Sequence, residues 1–243
     1  LHRVDRRQRQ MCIRDSANTD EMASYFAATT GRSDVIVIPN GYDDADRGSP
    51  LPKARGDDFV LVHNGSFRGG RRALPLLEGF ARARAAEPGF RRHARLYLIG
   101  INRSDDVAAA KEMGLQGSAF FVPYTAHRDT VRACLGADAL VLCMASCEGP
   151  AIVPGKLYEY LGTGVRIIAS VPEGQARRLL ERATRGALIV PAEDAAALAS
   201  GFVTAYNEKA LGLTNYGTVE EEIRAYARPR QVERLAAFLT KWT

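Results

Sequence analysis

Long hydrophobic runs are absent from this sequence. None approaches the roughly 18 apolar residues that span a bilayer, so no membrane-crossing helix is expected. The opening stretch LHRVDRRQRQMCIRDS (1–16) does not read as a secretory leader either, having no apolar core of about seven residues. Asp5 and Asp15 interrupt its basic residues and it has no apolar face, which argues against a mitochondrial presequence. Cysteine is scarce. Beyond Cys12 there are only Cys134, Cys143 and Cys147, an odd number without a secretion signal, as expected of small residues in a reducing cytoplasm. Cys143 and Cys147 have a metal-like spacing, but His63, His93 and His127 all lie far from them in sequence, so no zinc site is expected.

Charge is also less than it looks. The 33 Lys and Arg against 28 Asp and Glu give a formal +5. Arg3, Arg6, Arg7, Arg9 and Arg14, set against Asp5 and Asp15, put +3 of this into residues 1–16 and leave +2 on the other 227. That balance argues neither for nucleic acid nor for an anionic membrane surface as partner. Read back into codons, Arg6 to Ser16 resemble, at every position, a transposase adapter used in preparing sequencing libraries. Residues 1–16 are therefore expected to be an adapter-derived, disordered scar, with Met11 no initiator. The natural sequence is then expected to begin near Ala17, inside a longer chain.

What is present is a rhythm. VIVIP (35–39), FVLVHNG (59–65), ARLYLIG (94–100), AFFVPY (119–124), ALVLCMA (139–145), VRIIAS (165–170) and ALIVP (187–191) are short, continuously apolar runs, as suits strands buried on both faces. Stretches with helical spacing lie between them. In RALPLLEGFARARAAEPGF, Leu74, Leu77, Phe80 and Ala81 are expected to share one face. Strand and helix alternating in this way predict an α/β fold, a Rossmann-like doubly wound parallel sheet. Ahead of it, 17–31 reads as a helix closed by Gly31, followed by an edge-like strand at 35–39 and the Pro/Gly/charge-rich linker DADRGSPLPKARGDD. The far end reads as one helix interrupted near Pro229 and a second, amphipathic one.

Doubly wound sheets bind ligands outside the carboxyl ends of their strands, so chemistry is sought in the loops there. In SCEGPAIVPGKLYEYLGTG (146–164), Pro154 suits a first helical position, and amides at such a helix start attract phosphate. Lys156 adds a positive charge, and Glu159, three residues on, has the chemistry to accept hydrogen bonds from a ribose diol. A surface pair between Lys156 and Glu159 fits the same spacing, and spacing alone leaves both readings open. In HNGSFRGGRR (63–72), Gly65, Gly69 and Gly70 permit a tight turn, while Arg68, Arg71 and Arg72 offer planar forks for phosphate oxygens. Solvated arginines on a loop are the alternative. This loop is not the GxGxxG fingerprint, which argues against NAD.

Taken together, VIVIPNGYD, NGSFRGGR, LYLIG, VPY, ADALVLCM and above all VPGKLYEYLGTGVRIIASVPEG resemble the C-terminal, donor-binding half of a GT-B glycosyltransferase of the retaining family 4 type. The similarity runs from about Ala17 to the end. It implies four parts: the scar (1–16), the last helix and hinge of a truncated N-terminal acceptor domain (17–42), a nucleotide-sugar donor domain (43–228), and a C-terminal helix that packs back on the missing domain (229–243). By the resemblance, Arg71, Lys156 and Glu159 are the catalytic groups, with the cations on the diphosphate and Glu159 on the ribose. Gly65, Ser66, Arg68, Tyr124, Pro154, Gly155 and Leu157 bind the donor, Tyr124 beneath the nucleobase. One departure stands out. The family's paired glutamates are eight positions apart, and the partner position here is Ala151.

The resemblance implies transfer of a sugar from a nucleotide diphosphate sugar to a glycan, lipid or small-molecule acceptor. No cofactor and no metal are expected, the location is cytoplasmic, and any membrane contact is peripheral, through the missing domain. A non-catalytic nucleotide-sugar-binding module and a nucleotide-sugar epimerase of the same fold are the alternatives. The Asp-x-Asp spacing in DDAD (43–46) lies in the linker and is not expected to hold a metal. His127, near a helix start, is expected in solvent or core rather than on the donor.

Overall fold

The alternating runs resolve into one six-stranded parallel sheet with helices on both faces. The computed structural model describes residues 16–31, 35–67, 72–100, 103–213 and 215–240. Most of the adapter-like segment, residues 1–15, lies outside the described residues. Strand β1 (Ser16–Ala17) pairs in parallel with β2 (Ile36–Val37), so Ser16, the last residue of the adapter string, sits opposite Ile36. Between them runs α1 (Asp20–Thr30), started by Thr19, whose hydroxyl accepts from the Met22 amide, and closed by Gly31 at φ 69°. The strand expected at 35–39 thus lies apart from the main sheet.

The sheet itself is built from β3 (Phe59–Asn64), β4 (Ala94–Ile99), β5 (Ala119–Val122), β6 (Ala139–Cys143), β7 (Ile167–Val171) and, beyond a two-residue strand β8 (Thr184–Arg185), β9 (Leu188–Pro191). Its order is β5-β4-β3-β6-β7-β9. Burial of every residue of β3 and β7 explains why these runs are apolar throughout rather than alternating.

Helix α2 (Leu74–Ala86) follows β3, and α3 (Pro88–His93) follows at once. The sequence reads these as one helix, but Glu87 adopts extended angles (φ −126°, ψ 109°) because the residue before a proline is driven out of the helical region. The buried face of α2 is Leu76, Leu77, Phe80 and Ala83, not the expected set: Leu74 and Ala81 are only half-buried. The remaining helices are α4 (Ser104–Glu112), α5 (His127–Leu135), α6 (Gly155–Thr163), α7 (Gln175–Ala183) and α8 (Ala195–Ala210). A two-residue strand β10 (Gly217–Thr218), antiparallel to β8, leads into α9 (Glu220–Arg224) and α10 (Arg228–Leu239). The break expected near Pro229 is the turn between α9 and α10, and Pro229 lies in the first turn of α10, where a proline needs no amide partner.

Side chains alternate across β3. Phe59 and Leu61 pack with α2, α3 and α8 around Phe80, Phe90 and Phe202. Val60 and Val62 pack on the other face with α5, α6 and α7. The chain before the sheet is stitched to its end: Tyr42 N donates to Tyr226 O (3.1 Å), Arg228 N donates to Tyr42 O (2.8 Å), and the Tyr42 ring lies flush against Gly162. This bridge straddles the expected boundaries at 42/43 and 228/229. At the amino ends of the strands, Asp138 accepts from Lys53, Lys209 and the Val60 amide, tying β3 to β6.

Candidate functional site

The strand order reverses between β3 and β6, and there the sheet opens. Their ladder pairs only Leu61 with Ala139 and Val62 with Leu140. Beyond it, side chains replace backbone bonds. His63 Nδ1 lies 2.9 Å from Val141 O. Tyr160, from α6, accepts from the Asn64 amide (3.0 Å) and donates to the same carbonyl (3.4 Å). Both side chains are fully buried, and burial holds the Tyr160 hydroxyl's pKa well above its ordinary value. A carbonyl only accepts, so Nδ1 of His63 carries the proton and Nε2 offers a lone pair. That lone pair faces Lys156 Nζ at 3.4 Å, while the ring stacks on Phe67 with centroids 4.6 Å apart.

Two loops far apart in sequence therefore meet at Lys156. Gly65 follows β3 at φ 87°, a conformation that disfavours any Cβ, and a Cβ there would lie 3.1 Å from Lys156 Nζ. Helix α6 begins one residue later than the sequence implies. Pro154 is its N-cap, with ψ 138°, and Gly155 is the first helical residue. No side chain caps this end, which is how a helix start that takes an anion is built. The Leu157 side chain is buried in the core, and its amide donates to Pro154 O at 3.0 Å.

Arg72 lines a hollow with Phe67, Met144 and Ala145, and Phe67 is the ring that stacks on His63. The Arg72 guanidinium is oriented by Asp106, a fully buried carboxylate 3.7 Å from Arg72 Nε and 4.0 Å from Arg103 Nε. Arg68 and Arg71 lie outside the described residues. Ser66 is exposed beside Gly65. Tyr124 is 87% exposed in the loop after β5, two strands from β3, as a bare ring platform.

Glu159 turns toward α5 and lines a second, adjoining cleft. Its carboxylate lies 4.0 Å from His127 Nδ1, and His127 Nε2 lies 3.1 Å from Asp46 Oδ2. Tyr42, Arg47 and Arg228 complete this cleft. The linker acids are thus engaged, Asp46 with the His127 imidazole and Asp44 with the Arg47 guanidinium. Among the described residues no three His, Cys, Asp or Glu side chains converge as metal ligands. Burial pushes the Cys134 and Cys143 thiols up to about 12, whereas Cys147 is exposed.

Sequence reasoning missed His63, Tyr160 and Asp106. His63 carried a signal, a lone imidazole at the end of a buried apolar strand. Tyr160 had none, being one aromatic in an amphipathic helix.

The fold recurs in solved structures. HepE from Anabaena, in complex with UDP and glucose, superposes with a TM-score of 0.69 over 93% of this chain and 62% of its own, at 17% identity. The sucrose-phosphate synthase of Thermosynechococcus elongatus gives 0.64 over 93% and 57%, at 18% identity. The fold is that of a GT-B glycosyltransferase domain. TarM from S. aureus, in complex with fondaparinux, α-GlcNAc-glycerol and UDP, agrees at 0.60 over 93% and 42%, at 14% identity. The chain spans 42–63% of the length of the HepE, TarM and sucrose-phosphate synthase structures it matches. No protein-family model and no curated protein matches the sequence.

Proposed function

We propose that this chain is the nucleotide-sugar-binding domain of a retaining glycosyltransferase of the family 4 type. One observation carries the reading: Lys156, held by the buried His63 and covered by Gly65, stands at an uncapped helix start beside the sheet's switch point. On this reading the donor's diphosphate lies against Lys156, Gly155 and the Arg72 guanidinium. The ribose diol reaches the Glu159 carboxylate, and the base stacks on Tyr124. When the anomeric C–O bond breaks, its electron pair goes to the diphosphate oxygen, where fixed cations and helix amides stabilise the new charge. Arg71 belongs to the same cationic group by the sequence resemblance. The cytoplasmic location is part of the proposal, and no helix among the described residues is long and apolar enough to cross a membrane.

A non-catalytic nucleotide-sugar-binding module is the second reading, favoured by Ala151 where the family carries its other glutamate. Titrating UDP and GDP calorimetrically into the protein and into Glu159→Gln and Glu159→Ala tests the binding common to both. A charge-assisted contact of about 1.5–3 kcal/mol predicts roughly ten- to a hundredfold weaker binding for Glu159→Ala, with Glu159→Gln between it and wild type. Equal affinities for all three proteins would remove Glu159 from the site. Turnover of a labelled nucleotide sugar with an acceptor separates the two readings.

A further inference from the structure

Glu193 is the one non-glycine residue with positive φ (61°) among the described residues. It follows β9, and nothing about its own loop demands a glutamate in so unfavourable a conformation. Its backbone is held there: the Glu193 amide donates to Ser170 Oγ (2.9 Å), and that hydroxyl donates to Pro191 O (3.0 Å). Its side chain reaches across the carboxyl edge of the sheet. Oε2 accepts from the Ser146 amide at 3.0 Å and from the Ser146 hydroxyl, and these two bonds hold its carboxyl below the ordinary range. Ser146 opens the loop between β6 and α6, the loop that ends at Pro154 and Lys156. Further along, Pro150 O accepts from the Gln175 amide at 2.8 Å. Glu193 also lines the same hollow as Phe67, Arg72 and Ala145.

Strained residues persist where the surroundings over-determine them, and they cluster at sites whose shape matters. We propose that Glu193 is a positioning residue, whose carboxylate fixes Ser146 and thereby the 146–154 loop in the shape that the crevice beside Lys156 requires. The claim rests on the donor-site reading for what the crevice holds, but not for how the loop is held. Glu193 need touch no ligand. It acts through Ser146.

Backbone strain and the carboxylate clamp can be separated by mutation. Glu193→Gly relieves the backbone and removes the clamp, Glu193→Ala removes the clamp and keeps the strain, and Glu193→Gln keeps a weaker acceptor. Hydrogen–deuterium exchange across 144–154 should quicken about tenfold or more in the Gly and Ala variants, a local opening. The melting temperature should fall for Ala but not for Gly. UDP affinity should drop roughly five- to tenfold for both, with partial retention in Gln. Unchanged exchange in Glu193→Gly overturns the proposal. So does UDP affinity within about twofold of wild type in that variant, provided wild type binds. Should wild type bind neither UDP nor GDP, the donor-site reading fails instead; where it binds only GDP, the same affinity comparison is made with GDP, and without binding the exchange result alone decides the role of Glu193.

Discussion

Tyr160→Phe deletes a single oxygen from a residue with no exposed surface, and it probes the gap where β3 and β6 part. The ring stays, so no cavity forms in the core and hydrophobic burial is unchanged. What is lost is the acceptor for the Asn64 amide and one of two donors to Val141 O. The carbonyl keeps His63 Nδ1 at 2.9 Å. The amide keeps nothing, and a buried donor without a partner costs about 1–3 kcal/mol. Taking about 2 kcal/mol, and roughly 2–4 °C per kcal/mol for a chain of this size, the melting temperature should fall by about 4–8 °C. Guanidinium unfolding should show the loss as a lower midpoint at constant m, since the surface exposed on unfolding does not change. Amide exchange should localise the change to Asn64 and spare the strands' amino ends. Stability within about 0.5 kcal/mol of wild type would refute the reasoning. Side chains would then not be replacing the ladder at the switch point.

Other perturbations follow from the same geometry. Gly162→Ala would place a Cβ 2.5 Å from the Tyr42 ring, and should cost about 1–3 kcal/mol by overpacking, measured by denaturant unfolding. Asp138→Ala leaves Lys53, Lys209 and the Val60 amide without their shared acceptor, and should cost about 2–3 kcal/mol in the same assay. The thiols of Cys134 and Cys143 are raised by burial from the ordinary 9.0 to about 12. The unfolded chain therefore loses these protons first as pH rises, so stability should decline from about pH 9 towards 12, with none of this contribution lost below pH 9. Peptide mapping after brief alkylation at pH 8 should find Cys147 modified and the buried Cys134 protected until the protein unfolds.

The sheet was legible because its strands are short, continuously apolar and separated by helical spacing. All six were expected within about two residues of where they lie. Breaks that depend on one residue's neighbour were less visible, as at Glu87, where Pro88 ends a helix whose apolar pattern runs on. Gly65, Pro154, Gly155 and Lys156 were readable as candidates because they lie in loops that follow strands, where doubly wound sheets bind ligands. That the Leu157 side chain points into the core was not legible, because adjacency in a motif says nothing about which way a helical side chain points. Glu193 and Asp106 were invisible for a different reason: their partners, Ser146 and Arg72, lie 47 and 34 positions away. Only the folded sheet brings such pairs to one edge.

On the proposed reading Lys156, at the start of α6, receives a nucleoside diphosphate. Calorimetric titration of UDP and GDP into the protein and into Lys156→Met is the decisive measurement, because methionine keeps the side chain's length and removes its charge. Wild type should bind one of the two nucleotides saturably. The variant should lose roughly ten- to a hundredfold in affinity, as expected for a charge-assisted contact of about 1.5–3 kcal/mol. No saturable binding of either nucleotide by a folded wild-type protein, or equal affinity in the two proteins, would contradict the reading.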